Sequence, residues 1–309
     1  MIRLGLIGCG EHAENGHAIP LARYRDAHRG EIELTAACDL DRQRAESFGR
    51  RYGFLKSYSD VDDMLSSDNL DGCIAVVPVE KITQVGIMLL RRGIPCVMEK
   101  PLGASLDQAR ELLDAARATG TPNMVSVNRR FMPFLNEALE WARAIGPLRF
   151  VRATMTRVAR REPEFLWTTA VHAVDALRHI AGPVARAKKS RMDGDTKWYA
   201  IDLEFENGVT GRVDVLPSAG KLEETYELFG ESFHAAVTCP FGDRRGWRGY
   251  HDGQLVREEL AGEIPEDILN GCYDEASAFI GALKTGEPPH PSIEEVLPSV
   301  QFCFALAGI

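Results

Sequence analysis

The stretch LGLIGCGEHA, residues 4–13, joins an apolar run to a glycine-rich turn. The apolar run predicts a buried strand, and the glycines allow a tight turn that a ligand can approach closely. A helix starting after this turn would direct backbone N–H groups at a phosphate. The spacing is G-x-G-x-x-A, the alanine-ended form of the dinucleotide fingerprint. The cofactor-binding residues that it predicts are Gly8, Cys9, Gly10, Glu11 and His12.

A second apolar run, ELTAACD at residues 33–39, ends in an acid. A carboxylate at Asp39 can bond both hydroxyls of an adenine ribose and repel a 2′-phosphate, which favours NAD over NADP. Asp39 lies further downstream of the fingerprint than the usual distance of about 20 residues. Arg42 is near enough in sequence to serve a 2′-phosphate instead, and Asp39 also fits a simple turn residue at a strand end. We therefore predict NAD as the cofactor, with NADP second.

Composition and charge narrow the class of protein. The 309 residues suggest about two domains, and the formal net charge of −9 argues against a nucleic-acid partner. No run approaches about 18 uninterrupted apolar residues, so no membrane partner is predicted. The seven cysteines are scattered without a C-x-x-C pair, which predicts reduced thiols and no metal site. Because the sequence opens directly on a strand, without a signal-like segment, we expect a cytoplasmic protein.

The order of elements predicts an α/β fold. Strands and helices alternate through about residue 125, which is typical of a doubly wound parallel Rossmann sheet. The later residues predict an α+β domain with a large, open, mainly antiparallel sheet. Its strands are predicted at Leu148–Val158, Trp198–Glu206, Val209–Val215 and Glu223–Val237, with a hairpin turn at Asn207-Gly208 and later helices at Asp267–Leu283 and Ile293–Leu306. We predict a cofactor domain at residues 1–125 and a domain for substrate binding and oligomerisation at residues 126–309.

The strand Pro95–Met98 is followed directly by Glu99-Lys100-Pro101. Ligands of open parallel sheets lie beyond the carboxyl ends of the strands, so these side chains are expected to face the nicotinamide end of the cofactor. A lysine beside a cationic nicotinamide loses its proton more readily and can exchange it with a substrate hydroxyl or carbonyl. A surface turn before a proline is the alternative interpretation of this tripeptide.

The fingerprint, Cys38-Asp39, Val77-Pro78 and Glu99-Lys100-Pro101 occur in an order that resembles the Gfo/Idh/MocA superfamily of oxidoreductases. The resemblance covers nearly the whole chain. It implies NAD(P)-linked oxidation of sugars or cyclitols, with a small carbohydrate-like molecule as substrate and a homodimer or homotetramer as assembly. It also implies that Lys100 is catalytic, that Val77, Pro78 and Glu99 lie along the cofactor, and that Pro101 is cis.

The stretch TTAVHAVD, residues 168–175, resembles the second catalytic motif of that family, D-x-G-x-H-x-x-D. The match implies that His172 exchanges a proton or clamps a substrate hydroxyl, and that Asp175 orients it or binds substrate. On a continuous helix Thr168, His172, Asp175 and His179 would form one polar stripe, facing either water or a polar cleft. Thr168 replaces the family's first aspartate and cannot act as a base, so the main acid–base role is assigned to Lys100. Thr168 is predicted to contact the substrate instead.

Three further residues are predicted to contact substrate. Arg129 and Arg130 match a family segment, and either can bind a hydroxylated or acidic substrate; a surface pair is the alternative. Trp167 can stack on a sugar face, although a core tryptophan also fits.

Together these features favour an NAD(P)-dependent dehydrogenase acting on a CH–OH group. The alternatives are an enzyme that retains NAD for transient oxidation, as in glycoside cleavage or epimerisation, and a non-enzymatic NAD-binding regulator.

Overall fold

The computed structural model describes residues 1–308 except 193 and 195. The chain forms two compact units, the first made of residues 1–127 with 272–300, and the second of residues 128–271 with the C-terminal residues from 301. The division into residues 1–125 and 126–309 remains a prediction, and the compact units differ from it in one respect. Cys272–Val300 packs with the N-terminal residues, although it lies between the two segments of the second unit in the sequence.

A six-stranded parallel sheet forms the centre of the first unit, in the order β3-β2-β1-β4-β5-β6. The chain runs outward from β1 to β3, returns, and then runs outward in the other direction from β4 to β6, as the sequence predicted. The carboxyl ends of β1 and β4 are therefore neighbours, with Ile7 in register with Ala75. This change of direction is where open α/β sheets bind their ligands. The strands are β1 (Ile2–Ile7), β2 (Ile32–Cys38), β3 (Lys56–Tyr58), β4 (Gly72–Ala75), β5 (Cys96–Glu99) and β6 (Asn123–Ser126).

Helices connect these strands and cover the sheet. Several begin and end at residues whose chemistry predicts a boundary. Ser105 accepts a hydrogen bond from the backbone N–H of Gln108, and Gly120 takes the left-handed conformation after the same helix. The helices between the strands are Glu11–Ala13, Ile19–Ala27, Arg42–Tyr52, Val61–Ser67, Val79–Arg91 and Leu106–Thr119, with a π-helical turn at Glu14–Ala18.

The helix Cys272–Thr285 packs on the first unit's sheet. Gly72 of β4 has no side chain, and a Cβ there would lie only 2.8 Å from Leu283 Cδ1, so the glycine permits close packing. The hydroxyl of Ser126 donates to the buried carboxylate of Glu275 (2.8 Å). These contacts explain why the segment belongs to the first unit despite its position in the sequence.

An eight-stranded sheet forms the second unit, in the order β14-β13-β12-β11-β7-β10-β9-β8. All neighbours are antiparallel except β7 and β10, so the predicted mainly antiparallel sheet is confirmed. The predicted hairpin also exists, since β9 and β10 pair across Gly208, which has a φ of +85°. The strands are β7 (Leu148–Thr156), β8 (Val184–Met192), β9 (Trp198–Phe205), β10 (Thr210–Leu216), β11 (Glu223–Gly230), β12 (Phe233–Thr238), β13 (Gly246–His251) and β14 (Gln254–Leu260).

Some predicted elements of this half were wrong. The run Glu223–Val237 is two strands, because the chain turns at Ser232, where φ is +64°. The predicted helix Asp267–Leu283 is interrupted at Gly271, which has a φ of +83°. β8, β13 and β14 were not predicted; β8 and β14 are exposed along most of their length and so lack the alternation that reveals a half-buried strand. The remaining helices are Pro133–Ile145, Phe165–Thr168, Val171–Ala181, Glu266–Leu269, Cys272–Thr285 and Ile293–Ala307, with a 3₁₀ turn at Asn128–Phe131.

Within the described residues, every helix is too short or too polar to cross a membrane.

Candidate functional site

The two glycines of the fingerprint serve different purposes. Gly8 has a φ of +92°, and a Cβ there would lie 1.9 Å from the carbonyl oxygen of Val76, so the backbone itself requires glycine. At Gly10 a Cβ would meet no heavy atom of the described residues within 4 Å. Gly10 immediately precedes the helix that starts at Glu11, so a phosphate can approach the N-terminus of that helix. The turn therefore fits the pyrophosphate of a dinucleotide.

Asp39 lies just beyond β2, and its carboxylate holds the glycine turn. Its Oδ2 accepts a hydrogen bond from the backbone N–H of Cys9 (2.9 Å), and its Oδ1 accepts one from the N–H of Asp41 (2.9 Å). The guanidinium of Arg44 lies 3.4 Å from Oδ1. Arg42, which the sequence suggested for this position, bonds Glu46 instead (3.1 Å). Asp39 therefore lies beside the glycine turn with Arg44 as its arginine neighbour, and its contact with an adenine ribose remains a prediction.

Residues after β4 border the same turn. The backbone N–H of Val76 donates to the carbonyl of Ile7 (2.8 Å), which keeps this segment beside the end of β1. Val77 is half-buried and Pro78 is exposed at the start of the helix Val79–Arg91. Both residues lie at the ligand-binding edge of the sheet, and their role along a cofactor remains a prediction.

Glu99 and Lys100 lie at the carboxyl end of β5, on this edge of the sheet. Glu99 is buried, and its Oε1 accepts hydrogen bonds from Nε2 of His17 (2.8 Å) and of His12 (2.9 Å). Burial raises the pKa of Glu99, but the two imidazoles outweigh it and hold that pKa well below its usual range. Lys100 is half-buried, and its peptide bond to Pro101 is cis, as the family resemblance implied. The ionised Glu99 thus fixes the backbone just before the proposed catalytic lysine.

The π-helical turn explains how two histidines reach one carboxylate. On a regular α-helix residues five apart point in directions that differ by about 140°. The turn at Glu14–Ala18 is wound more loosely and brings positions i and i+5 together, so that His12 and His17 both face Glu99. The role of His17 was not identified from the sequence. Glu99 lies 82 residues further along the chain, so the pair could not be found from a local pattern.

In the second unit, Arg130 and Asp175 form a bidentate ion pair. Nε and Nη2 of Arg130 donate to Oδ2 and Oδ1 of Asp175, at 2.7 and 2.8 Å. Asp175 has no exposed surface, so its carboxylate is positioned to orient Arg130 rather than to meet a substrate from solvent. Arg178 lies nearby, and burial together with the charge of Arg130 lowers the pKa of Arg178.

His172 lies one turn before Asp175 on the helix Val171–Ala181. Both side chains are buried, whereas His179 is exposed. Thr168 is the last residue of a separate short helix, Phe165–Thr168, which ends before Val171. The predicted polar stripe on one continuous helix was therefore wrong. The Thr168 hydroxyl donates to the carbonyl of Glu164 (2.9 Å). The predicted substrate contacts of Thr168 and Asp175 remain predictions.

Trp167 is half-buried and packs against Phe304, with ring centroids 5.8 Å apart. This contact agrees with the core interpretation of the tryptophan. Part of the indole stays accessible, so stacking on a sugar remains a prediction.

Arg129 belongs to a buried ionic cluster, so the alternative interpretation as a surface pair was wrong, and its predicted contact with substrate remains a prediction. Its guanidinium donates to both oxygens of Glu224 (2.8 and 3.1 Å), which also accept from Arg157 (2.8 Å) and the Tyr226 hydroxyl (2.7 Å). Burial raises the pKa of Glu224, but the two arginines outweigh it and lower this pKa to about 2. The ring of Phe241 lies 4.9 Å from the Arg157 guanidinium. These partners are far apart in sequence, so no local pattern could have revealed them.

No three histidine, cysteine or acidic side chains are grouped so that they could hold a metal ion, in the part of the chain that the structure describes. All seven cysteines are buried and free.

Comparison with known proteins agrees with this geometry. Residues 2–128 match the model of the oxidoreductase family with an NAD-binding Rossmann fold. Relatives extend the similarity into the second unit. The matched model is that of the Gfo/Idh/MocA family, which the motifs of this chain resemble.

Among the relatives, D-apiose dehydrogenase of Paraburkholderia graminis is 28% identical over 238 residues, which cover 72% of this chain and 62% of the relative. The chain thus spans less than two thirds of that protein's length. The scyllo-inositol 2-dehydrogenase (NADP(+)) IolU of Bacillus subtilis is 24% identical and is covered to 81%, with 82% of this chain aligned. A levoglucosan dehydrogenase solved with NADH and levoglucosan shares the fold, with a TM-score of 0.85 at 18% identity over 99% of this chain and 96% of that chain.

Proposed function

We propose that this protein is an NAD(P)-dependent dehydrogenase that oxidises a CH–OH group of a sugar, cyclitol or related polyol, with NAD as the preferred cofactor. The observation that carries the proposal is the position of Glu99 and Lys100 on the ligand-binding edge of the parallel sheet that also holds the glycine turn. The relatives named as dehydrogenases of D-apiose and scyllo-inositol support this substrate class.

The first unit supplies cofactor binding and the main proton acceptor. Gly8 shapes the turn, Gly10 leaves room for the pyrophosphate, and Asp39 faces the adenine ribose. When bound, the nicotinamide would supply the acceptor for the hydride that leaves the substrate carbon. Lys100 takes the proton of the substrate hydroxyl, so that the carbonyl forms as the C–H bond breaks. Glu99, held ionised by His12 and His17, positions Lys100 and adds negative charge beside it.

The second unit supplies substrate recognition. His172 binds a substrate hydroxyl and is the second proton-exchanging group, while Arg130 bonds hydroxyl or acidic oxygens. Asp175 holds the Arg130 guanidinium in one orientation through two hydrogen bonds. Thr168 and Trp167 are proposed to complete the substrate contacts. We also propose a homodimer or homotetramer located in the cytoplasm, where the buried cysteines would stay reduced.

The test is the appearance of reduced-nicotinamide absorbance with a panel of aldoses, cyclitols and sugar derivatives, with NAD and NADP in parallel. Lys100→Ala should lower kcat by about 10² to 10⁴. Lys81→Ala, which changes an exposed lysine of the same unit, should not. NADH binding by Lys100→Ala, followed by fluorescence, establishes that the variant is folded.

Full turnover by Lys100→Ala would remove this lysine from the mechanism. If the purified protein instead carries bound NAD and releases no NADH with any substrate, the retained-cofactor alternative is supported. Binding of NAD without turnover, coupled to capture of a protein partner, would support a regulator.

A further inference from the structure

We infer that two copies of this protein associate through the edge strand β14, so that two eight-stranded sheets join into one. In this arrangement the two β14 strands run antiparallel about a two-fold axis, and Arg257 of each copy lies opposite Glu259 of the other. The inference rests on the homo-oligomer proposed above and not on the proposed catalytic activity.

The two edges of the eight-stranded sheet differ in their protection against pairing. β8, at one edge, carries four cationic side chains, and charges of this kind hinder the addition of a second strand. β14, at the other edge, is exposed along its whole length and carries three apolar side chains that are each about half exposed. An exposed apolar edge strand favours strand addition through its outer backbone groups. The cations of β8 are Arg186, Lys188, Lys189 and Arg191, and the apolar residues of β14 are Leu255, Val256 and Leu260.

The side chains of β14 are complementary to those of an identical strand. In an antiparallel pair centred on Glu258, Arg257 lies directly opposite Glu259 of the second copy, and the two-fold axis repeats this contact. The two residues share one face of the strand, because they are two positions apart and Arg257–Leu260 pairs regularly with β13. Opposite charges in such positions stabilise a strand pair. Glu258 meets its own copy at the axis on the other face, where Arg248 already binds it at 2.7 Å.

The surroundings of Glu259 favour a cation from a second copy. Trp247, its register neighbour in β13, donates its indole N–H to the carboxylate of Glu137 (3.1 Å). Burial, followed by the nearby Glu259 and Glu140, raises the pKa of Glu137, although the indole lowers it. Arg257, by contrast, is exposed and forms no salt bridge with any described residue. Arg257 of a second copy, placed opposite Glu259, would reduce the repulsion among these carboxylates.

The first experiment follows self-association of the full chain by sedimentation velocity, at concentrations from about 1 to about 300 µM, which covers weak interfaces. Arg257→Glu or Glu259→Arg places like charges opposite each other twice, so either should raise the dissociation constant at least about tenfold. The double variant with both substitutions restores opposite charges and should return the constant to within about threefold of the native value. Lys188→Glu, which reverses an exposed charge on β8, should leave association unchanged. Circular dichroism confirms that these variants, all at exposed positions, are folded.

The second experiment tests the register. Residue 258 opposes itself across the axis, where facing Cα atoms are about 4.5 to 5.5 Å apart, a separation that a disulfide spans. All seven native cysteines are buried, so Glu258→Cys adds an exposed thiol. Oxidation with diamide should therefore link the Glu258→Cys variant into a covalent dimer on a non-reducing gel. Lys188→Cys, with the same thiol on the opposite edge, should not be linked.

The outcomes separate the two proposals. An oligomer that neither charge reversal weakens, that the double variant does not recover, or that Glu258→Cys does not cross-link overturns the role of β14 and leaves the homo-oligomer intact. A chain that stays monomeric over the whole concentration range overturns both. The proposed dehydrogenase activity is measured separately, with nicotinamide cofactor and sugar substrates, so its failure is distinguishable from either result.

Discussion

The ligand-binding edge of the first unit's sheet and the buried ionic cluster of the second unit are built in opposite ways. At the ligand-binding edge, the backbone determines the geometry, because Gly8 closes a turn and Glu99-Lys100 ends a strand. In the ionic cluster, Arg129 and Glu224 are 95 residues apart and meet only through side chains. A site that is set by backbone conformation leaves a local pattern in the sequence. A site that is made of distant ion pairs leaves none.

The largest effect is expected at the backbone-determined turn. Gly8→Ala should lower the free energy of unfolding by more than about 4 kcal/mol, because the methyl group would meet the Val76 carbonyl at 1.9 Å in a backbone conformation unfavourable to alanine. Urea denaturation followed by circular dichroism measures this loss.

Gly10→Ala is the matched control within the same turn. Its Cβ has room, so stability should change by less than about 1 kcal/mol. NADH affinity should still fall by about tenfold or more, because the methyl group lies where a phosphate approaches. Equal stabilities of the two variants would show that the turn does not require glycine at position 8.

The next largest loss of stability is expected in the buried ionic cluster. Glu224→Gln should cost about 3 kcal/mol, because it leaves Arg129 and Arg157 buried with too little negative charge. The native pKa of about 2 lies below the unfolded value of 4.5, so the stabilisation from Glu224 is present above about pH 4.5 and is lost as the pH falls toward 2.

Urea midpoints measured from pH 7 to pH 3 test this linkage. The native protein and Glu224→Gln should differ most at pH 7 and converge in acid. Glu204→Gln, which changes the exposed partner of Arg186 at 3.9 Å, should change stability by less than about 1 kcal/mol throughout. A constant gap between native protein and Glu224→Gln across this range would contradict the ionised state of the buried carboxylate.

A smaller effect is expected at the second ion pair. Asp175→Asn should cost about 2 kcal/mol, since it weakens two charge-assisted hydrogen bonds but keeps the shape of the side chain. Because Arg130 then loses its fixed orientation, KM should rise more than kcat falls. A loss of kcat alone, with KM unchanged, would place Asp175 in proton transfer rather than in positioning Arg130.

The same contrast explains which features the sequence predicted. The fingerprint, the strand ends and the Asn207-Gly208 hairpin were predictable because each depends on adjacent residues and on turn geometry. The assignment of Cys272–Val300 to the first unit was not, since it depends on packing such as that of Leu283 over Gly72. A sequence pattern also could not show which arginine contacts Asp39. Arg42 and Arg44 lie on one helix turn, and only the structure shows that Arg44 faces Asp39.

The smallest effect is expected at a purely local feature, the N-terminal cap of the helix Leu106–Thr119. Ser105→Ala should cost about 1 kcal/mol, because the hydroxyl accepts the backbone N–H of Gln108 at the start of its helix (3.3 Å). Ser105→Asp should keep this stability, since a carboxylate accepts the same bond and favours a helix N-terminus. Thermal unfolding of both variants measures the difference. If Ser105→Asp lowers stability as much as Ser105→Ala, the side-chain cap does not stabilise this helix. Even this local feature of the first unit would then depend on tertiary packing.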